Sequence, residues 1–497
     1  MTPTLVIADH IVTGIDADGT PQIVSDSAIL VEDGLVAAIG PTADVRRLYP
    51  GATEVGGRGR IAIPGLINAH HHVGLTPFQL GARDQPLELW FPERLAMRDI
   101  DPRLDTLFAA FEMIASGVTT VQHLHSRAPG DVHAVVARAN AIVGAYTEIG
   151  MRASYSFAFR DQCRMVYAAD EDFIETLPPD LRGPTAAYLA GFGLSLEDQI
   201  SVFHALRRHW EGESRIAIQL APSNLHWLSD KALESTARVA EETGVPMHMH
   251  LLETPYQAEY AQRRTGGSAV AHVDRFDLLG PDMTIGHGVW MTEDDVALVA
   301  ERGACLCHNC SSNLRLKSGR ADLNAFLASG TPVALGIDEA GINDDRDMLQ
   351  EMRLALTLHR PAGHDAPCPT APEILRMATE HGAATTPFRG RIGRLEPGCY
   401  ADIVLLDWDA ITRPFQDPAI PLVDVILRRA KPAAVESVLV GGETVYHQGT
   451  FPNVDQAGIL EAISRALHRE NSLAEAAQKK LARDLVGPVR AFYEGWR

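Results

Sequence analysis

From residue 61 onward, short apolar runs alternate with amphipathic segments of ten to eighteen residues, and this alternation constrains the fold more than any other feature. The runs are RIAIPGLIN, GVTTVQHL, MRASYSFAF, RIAIQLAP, VPMHMHL, MTIGHG, ACLCHN and PVALGID, eight in all. Between them lie helical patterns such as PRLDTLFAAFEMIAS and LEDQISVFHALRRHWEG, and several of these patterns close on Gly, the usual helix stop. Eight strand–helix alternations without an antiparallel interruption predict a parallel (β/α)8 barrel of the TIM type over residues 61–389.

The two ends of the chain have a different texture. TLVIADHIVTG and SAILVEDGLVAAIG, with their Asp-Gly punctuation, predict a β-meander in residues 1–60. The same texture returns in GRLEPGCYADIVLLDWD and VESVLVGGETVYHQGTF. Residues 1–60 and 390–450 are therefore expected to form one composite β-sandwich, followed by a helical extension over 451–497.

Composition excludes several classes. A formal net charge of −20 disfavours nucleic acid and anionic membrane as partners. No run of eighteen apolar residues is present, and the N-terminal stretch lacks the basic and apolar regions of a signal peptide. Six cysteines in 497 residues are not a disulfide framework; reduced thiols in a cytoplasmic protein are expected. Cys305, Cys307, His308 and Cys310 mimic a zinc spacing, but alternate residues of a buried strand cannot all meet one ion, so they read as core.

Polar residues of one type gather at the strand ends. His70 and His72 share a strand face while His71 points away. The fifth run ends at His250 with Glu253 three residues on, the sixth at His287 and the eighth at Asp338. Catalytic groups of such barrels lie at this C-terminal end. Histidines with an aspartate suit zinc or another borderline divalent ion and leave a position open for water.

The combination, in chain order, resembles the amidohydrolase superfamily, and within it the cytosine, guanine and S-adenosylhomocysteine deaminases and the triazine hydrolases. PGLINAHHH, HMHLLET, IGHGVWMTEDD, CHNCSSNLRL, VALGIDEA and GRLEPGCYADIVLLD carry the likeness. The fourth run has no lysine, where binuclear members carry a carboxylated one. The resemblance thus implies one divalent ion per chain, foremost Zn2+ with Fe2+ or Mn2+ also fitting, held by His70, His72, His250 and Asp338. His248 becomes packing or a support to the ligands.

It also implies hydrolytic deamination of an amino-substituted N-heterocycle, of purine, pyrimidine, pterin or triazine type, by a homodimer or homotetramer. Asp338 would shuttle a proton, Glu253 would protonate a ring nitrogen, and His287 would orient the nucleophile or steady the oxyanion. Dechlorination or cyclic-amide opening at the same site is the alternative, and a non-catalytic scaffold of this fold the remote one. The substrate contacts expected are Gln79 and Trp90 in the first loop, His123, Asn224 and Glu339, the last standing where the family more often has Gly. Ser223 stands where the S-adenosylhomocysteine deaminases carry a nucleoside-contacting His, which turns the expectation from a nucleoside to a small free heterocycle. Arg160 and Arg164, after the third run, read either as solvated surface or as a basic pair for a substrate carboxylate.

Overall fold

The computed structural model describes residues 3–126 and 128–496. Eight parallel strands form its centre: β1 (Leu66–His71), β2 (Val118–His125), β3 (Arg152–Phe159), β4 (Ile216–Ile218 with Ala221–Pro222), β5 (Met247–Leu251), β6 (Met283–His287), β7 (Cys305–His308) and β8 (Val333–Leu335). Ladders run unbroken from β1 to β4 and from β5 to β8. Two single bridges, Leu220 with Met247 and His71 with Asp338, close these halves into a barrel. At the second, the Asp338 N–H donates to His70 O at 2.8 Å. Gly336 permits that approach, because a Cβ there would sit 2.4 Å from His70 Cβ.

β2 and β3 are buried at every position, as strands covered on both faces must be. The helices between strands are set by local chemistry. Asp131 caps Val132–Ile149, which ends on left-handed Gly150; Thr292 and Asp295 form a capping box for Glu293–Arg302, which ends on Gly303.

The run RIAIPGLIN divides where the sequence reads it as one strand. Arg60–Pro64 joins the outer sheet, pairing with Thr4–Ile15 and Ile403–Asp407, and the barrel begins only at Leu66. Pro64-Gly65 is the break, since proline has no N–H to carry a ladder onward. The boundary expected at residue 60 therefore moves to this dipeptide.

Eight strands from both chain ends make one outer sheet, ordered Glu443–His447, Val435–Val440, Ile403–Asp407, Arg60–Pro64, Thr4–Ile15, Pro21–Glu32 and Leu35–Pro41, with Thr53–Gly56 also on Thr4–Ile15. By strand pairing the expected sandwich region is one continuous sheet, with Val6, Ile11, Ile29, Leu405 and Leu439 in one buried cluster. Its far edge returns on itself where Val36 N–H donates to Cys399 O at 2.9 Å. A buried ion pair, Arg152 to Asp402 at 2.8 and 3.0 Å, fastens barrel to sheet.

The C-terminal helices Gln456–His468 and Leu473–Phe492 follow. Leu481, Leu485, Val489 and Tyr493 of the last pack on Leu89 of helix Leu87–Arg94, in the loop after β1, and on Tyr167 and Phe173. No helix among the described residues is long and apolar enough to cross a membrane.

Candidate active site

Three imidazoles point their Nε2 atoms at one spot. His72 Nε2 lies 3.0 Å from His70 Nε2 and 3.1 Å from His250 Nε2, and Asp338 Oδ1 stands 3.2 Å from His72 Nε2. The tautomers follow from the outer nitrogens. His72 Nδ1 faces Leu124 O at 2.5 Å and His250 Nδ1 faces Ser223 O at 3.0 Å. A carbonyl only accepts, so both Nδ1 atoms carry the proton and both Nε2 atoms present bare lone pairs. His70 Nδ1 lies 2.9 Å from His248 Nε2, and burial pushes the His248 imidazole down to about 3, leaving it neutral and able to accept.

Bare lone pairs 3 Å apart repel, and a cation between them removes the conflict. Zn–N bonds of ~2.0–2.1 Å spread over angles of about 90–110° put donor atoms ~2.9–3.4 Å apart. The donor set therefore fits a single divalent ion, with the imidazoles anchored on backbone carbonyls and His248 as such ligands usually are. His70 and His250 are held well below the usual imidazole range, first by burial and then by the neighbouring rings.

Backbone strain marks the same strand ends. His287 has φ 74° and Asp338 φ 64°, both left-handed without being glycine, as is Leu252 at φ 52° just before Glu253. These kinks turn side chains inward. His287 Nε2 lies 3.6 Å from Asp338 Oδ2 and 3.8 Å from Glu253 Oε2, while its Nδ1 meets Asn313 Oδ1 at 2.8 Å. Ser312 Oγ donates to Asp338 Oδ2 at 2.7 Å, and Ser318 Oγ to Glu253 Oε1 at 3.3 Å. Burial raises the Glu253 carboxyl to about 7.

A narrow cavity of about 40 Å³ opens beside the cluster, lined among others by Trp90, Phe91, Trp227, Arg94, Glu253 and Glu339. It shares His72, Arg94 and Ser126 with a cavity of about 400 Å³ that reaches Gln478 of the C-terminal helix.

The expected contact residues separate accordingly. Trp90 and Glu339 line the narrow cavity, and His123 lines the larger one with its Nδ1 on Tyr146 Oη at 2.8 Å. Gln79 does neither: it is exposed, and its Oε1 accepts from Thr76 N–H at 2.8 Å, because the chain turns away after Thr76. Asn224 is one bond removed, its Nδ2 donating to Gln257 Oε1, which also accepts from Glu253 N–H. Ser223 Oγ donates to Phe159 O and so is engaged with the backbone. Arg160 lines the narrow cavity with its guanidinium 3.7 Å above the Trp227 ring, contrary to a solvated reading, whereas Arg164 pairs with Asp170.

Sequence reasoning missed Arg94, Trp227, Asn313, Ser312 and Ser318. The Ser-Ser-Asn triplet after β7 was a usable signal for Ser312 and Asn313; no local pattern marks Arg94 or Trp227.

A second cluster joins His308, Cys310 and His359, with His308 Nε2 2.9 Å from His359 Nε2. All six cysteines are unpaired.

The comparisons with known proteins agree with this geometry. Residues 61–445 match the amidohydrolase family, and residues 28–52 match the imidazolonepropionase-like composite domain of bacteria. A 5-methylthioadenosine/S-adenosylhomocysteine deaminase of Nitratidesulfovibrio vulgaris strain DP4 is 30% identical over 93% of this chain and 96% of its own. Among solved structures, a zinc-bound adenosine deaminase from Xanthomonas campestris superposes with a TM-score of 0.77 at 25% identity, over 97% of this chain and 98% of its own. A zinc-complexed atrazine chlorohydrolase from Arthrobacter aurescens TC1 shares the fold, with a TM-score of 0.79 at 22% identity over 93% of this chain and 99% of its own. With 385 of its residues spanned by the family match, the chain belongs to the amidohydrolase family.

Proposed function

We propose that this protein hydrolytically deaminates an amino-substituted N-heterocycle, with one zinc ion held by His70, His72, His250 and Asp338. The observation that carries the reading is the meeting of three lone pairs and a carboxylate beside the buried Glu253, whose carboxyl burial raises to about 7. The relative from Nitratidesulfovibrio vulgaris and the neighbour from Xanthomonas campestris, both named deaminases, support it.

A divalent ion in this site supplies Lewis acidity and a water that is nucleophilic at neutral pH. The remaining work falls to side chains. Glu253, with its carboxyl raised to about 7, gives a proton to the ring nitrogen beside the attacked carbon, so the ring accepts the electron pair. Asp338 takes a proton from the attacking water and passes it to the departing amino group, while Ser312 holds its second oxygen. Asn313 Oδ1 accepts from His287 Nδ1–H, so His287 Nε2 accepts a hydrogen bond and aims the water. Trp90, Phe91 and Trp227 supply apolar faces for a flat ring.

A panel of aminopurines, aminopyrimidines, pterins and triazines, assayed for ammonia with zinc-loaded and chelator-treated protein, tests the reading. Ammonia from at least one ring, lost on chelation and restored by zinc, is expected. Release of chloride or of a ring-opened carboxylate, with no ammonia from any amino compound, overturns it in favour of the alternative leaving groups.

A further inference from the structure

Glu339 is a buried carboxylate with work left undone. Its side chain is 9% exposed, its Oε1 lies 3.2 Å from Arg94 Nη1, and its Oε2 is buried with no hydrogen-bond partner. An unpartnered buried oxygen of this kind is costly unless a ligand completes it. Arg94 rests its guanidinium 4.6 Å from the Trp90 ring, and the only protein acceptor it meets among the described residues is Glu339. Both residues line the narrow cavity at the ligand cluster.

The position relative to Glu253 matters as much as the chemistry. Glu253 approaches His287, which faces Asp338 Oδ2. Glu339 groups instead with His72, which faces Asp338 Oδ1. The two glutamates thus flank the reacting centre, one as a proton donor and one as an acceptor, with the Arg94 donor beside the acceptor.

We propose that Glu339 and Arg94 together select rings carrying a lactam edge, –NH–C(=O)–, directly beside the carbon that bears the amino group. This rests on the deaminase reading and narrows it. Glu339 Oε2 accepts from the ring N–H on one side of that carbon, and Arg94 donates to the carbonyl oxygen next along. Glu253 protonates the bare ring nitrogen on the other side. The substrate class is therefore the 2-amino-4-oxo pyrimidine fragment, alone or fused, which is a cyclic acylguanidine. Rings of adenine type carry neither an N–H nor a carbonyl beside the amino-bearing carbon, so they leave Glu339 Oε2 without a donor and Arg94 without an acceptor. Sites built to bond an N–H reject the analogue lacking it far more strongly than apolar pockets reject a missing methylene.

Matched ring pairs test this. Guanine against 2-aminopurine, and isocytosine against 2-aminopyrimidine, differ only in the lactam. Wild-type kcat/KM for ammonia release is expected to favour each lactam ring by ~10²-fold. Glu339→Leu should bring the ratio near unity, and Glu339→Gln, which keeps an acceptor oxygen and the shape, should leave an intermediate ratio with unchanged metal content. Calorimetric binding of hypoxanthine against purine, neither of which has an amino group to lose, gives a readout independent of turnover. Equal affinity of the wild-type protein for hypoxanthine and purine, or a lactam preference that survives in both variants, overturns the proposal. Failure to release ammonia from any ring counts against the deaminase reading alone, because the binding ratio still decides the role of Glu339.

Discussion

Two histidine clusters in this protein look alike in composition and differ in what they can hold. At the barrel mouth, His70, His72 and His250 bring their Nε2 atoms to 3.0 and 3.1 Å. At the end of β7, His308 and His359 bring theirs to 2.9 Å with Cys310 nearby. The difference lies in the far side of each ring. His72 and His250 spend their protonated nitrogens on the carbonyls of Leu124 and Ser223, which forces bare lone pairs inward. His308 Nδ1 has no partner among the described residues, so one ring of that pair donates to the other and no ion is called for. Burial holds the Cys310 thiol well above its ordinary range, which also disfavours a thiolate ligand. Closeness of donor atoms is thus a poor guide to a metal site, and the hydrogen bond that fixes the tautomer is a better one.

The largest effect should come from the mouth. His250→Ala or Asp338→Ala should abolish stoichiometric zinc and cut turnover by ~10³–10⁵-fold, the equivalent of several kcal/mol of lost Lewis-acid stabilisation. Elemental analysis beside the ammonia assay checks it, and full metal content with either variant would break the contrast. Glu253→Gln should cost ~10²–10⁴-fold in kcat while metal content stays whole. The wild-type pH profile sharpens this. Glu253 acts as an acid with its carboxyl at about 7, so kcat/KM should fall as pH rises through that value, and the Gln variant should lose this descending limb.

Smallest of all, His359→Gln and Cys310→Ala should leave metal stoichiometry and kcat within about twofold, with the Cys310 change costing ~1 kcal/mol of packing. Thermal unfolding and elemental analysis together test that. Loss of one metal equivalent in either variant would make the two clusters equivalent after all.

Much of this was legible in the chain. Residues i and i+2 of a strand share a face, so HHH at 70–72 already separates His71 from its neighbours, and His71 meets His123 edge-on instead, with ring centroids 5.3 Å apart. The strand ends carrying His250, His287 and Asp338 were equally plain, because parallel barrels present that end to the site. Gln79 was misjudged because a loop's direction depends on contacts no local pattern records; here its own side-chain cap on Thr76 turns it outward. The division of RIAIPGLIN at Pro64-Gly65 had a visible proline, yet both halves are apolar and only the sheets they join tell them apart.

The sequence by itself determined the barrel and the residue types that gather at its strand ends, since periodicity and residue chemistry act over a few neighbours. Only the tertiary structure decided which nitrogen of each ring faces inward, that Arg94 meets Glu339, and that the C-terminal helix buttresses the loop over the cavity. Those outcomes join residues tens to hundreds of positions apart, and hydrogen bonds and packing of that span leave no trace in local composition.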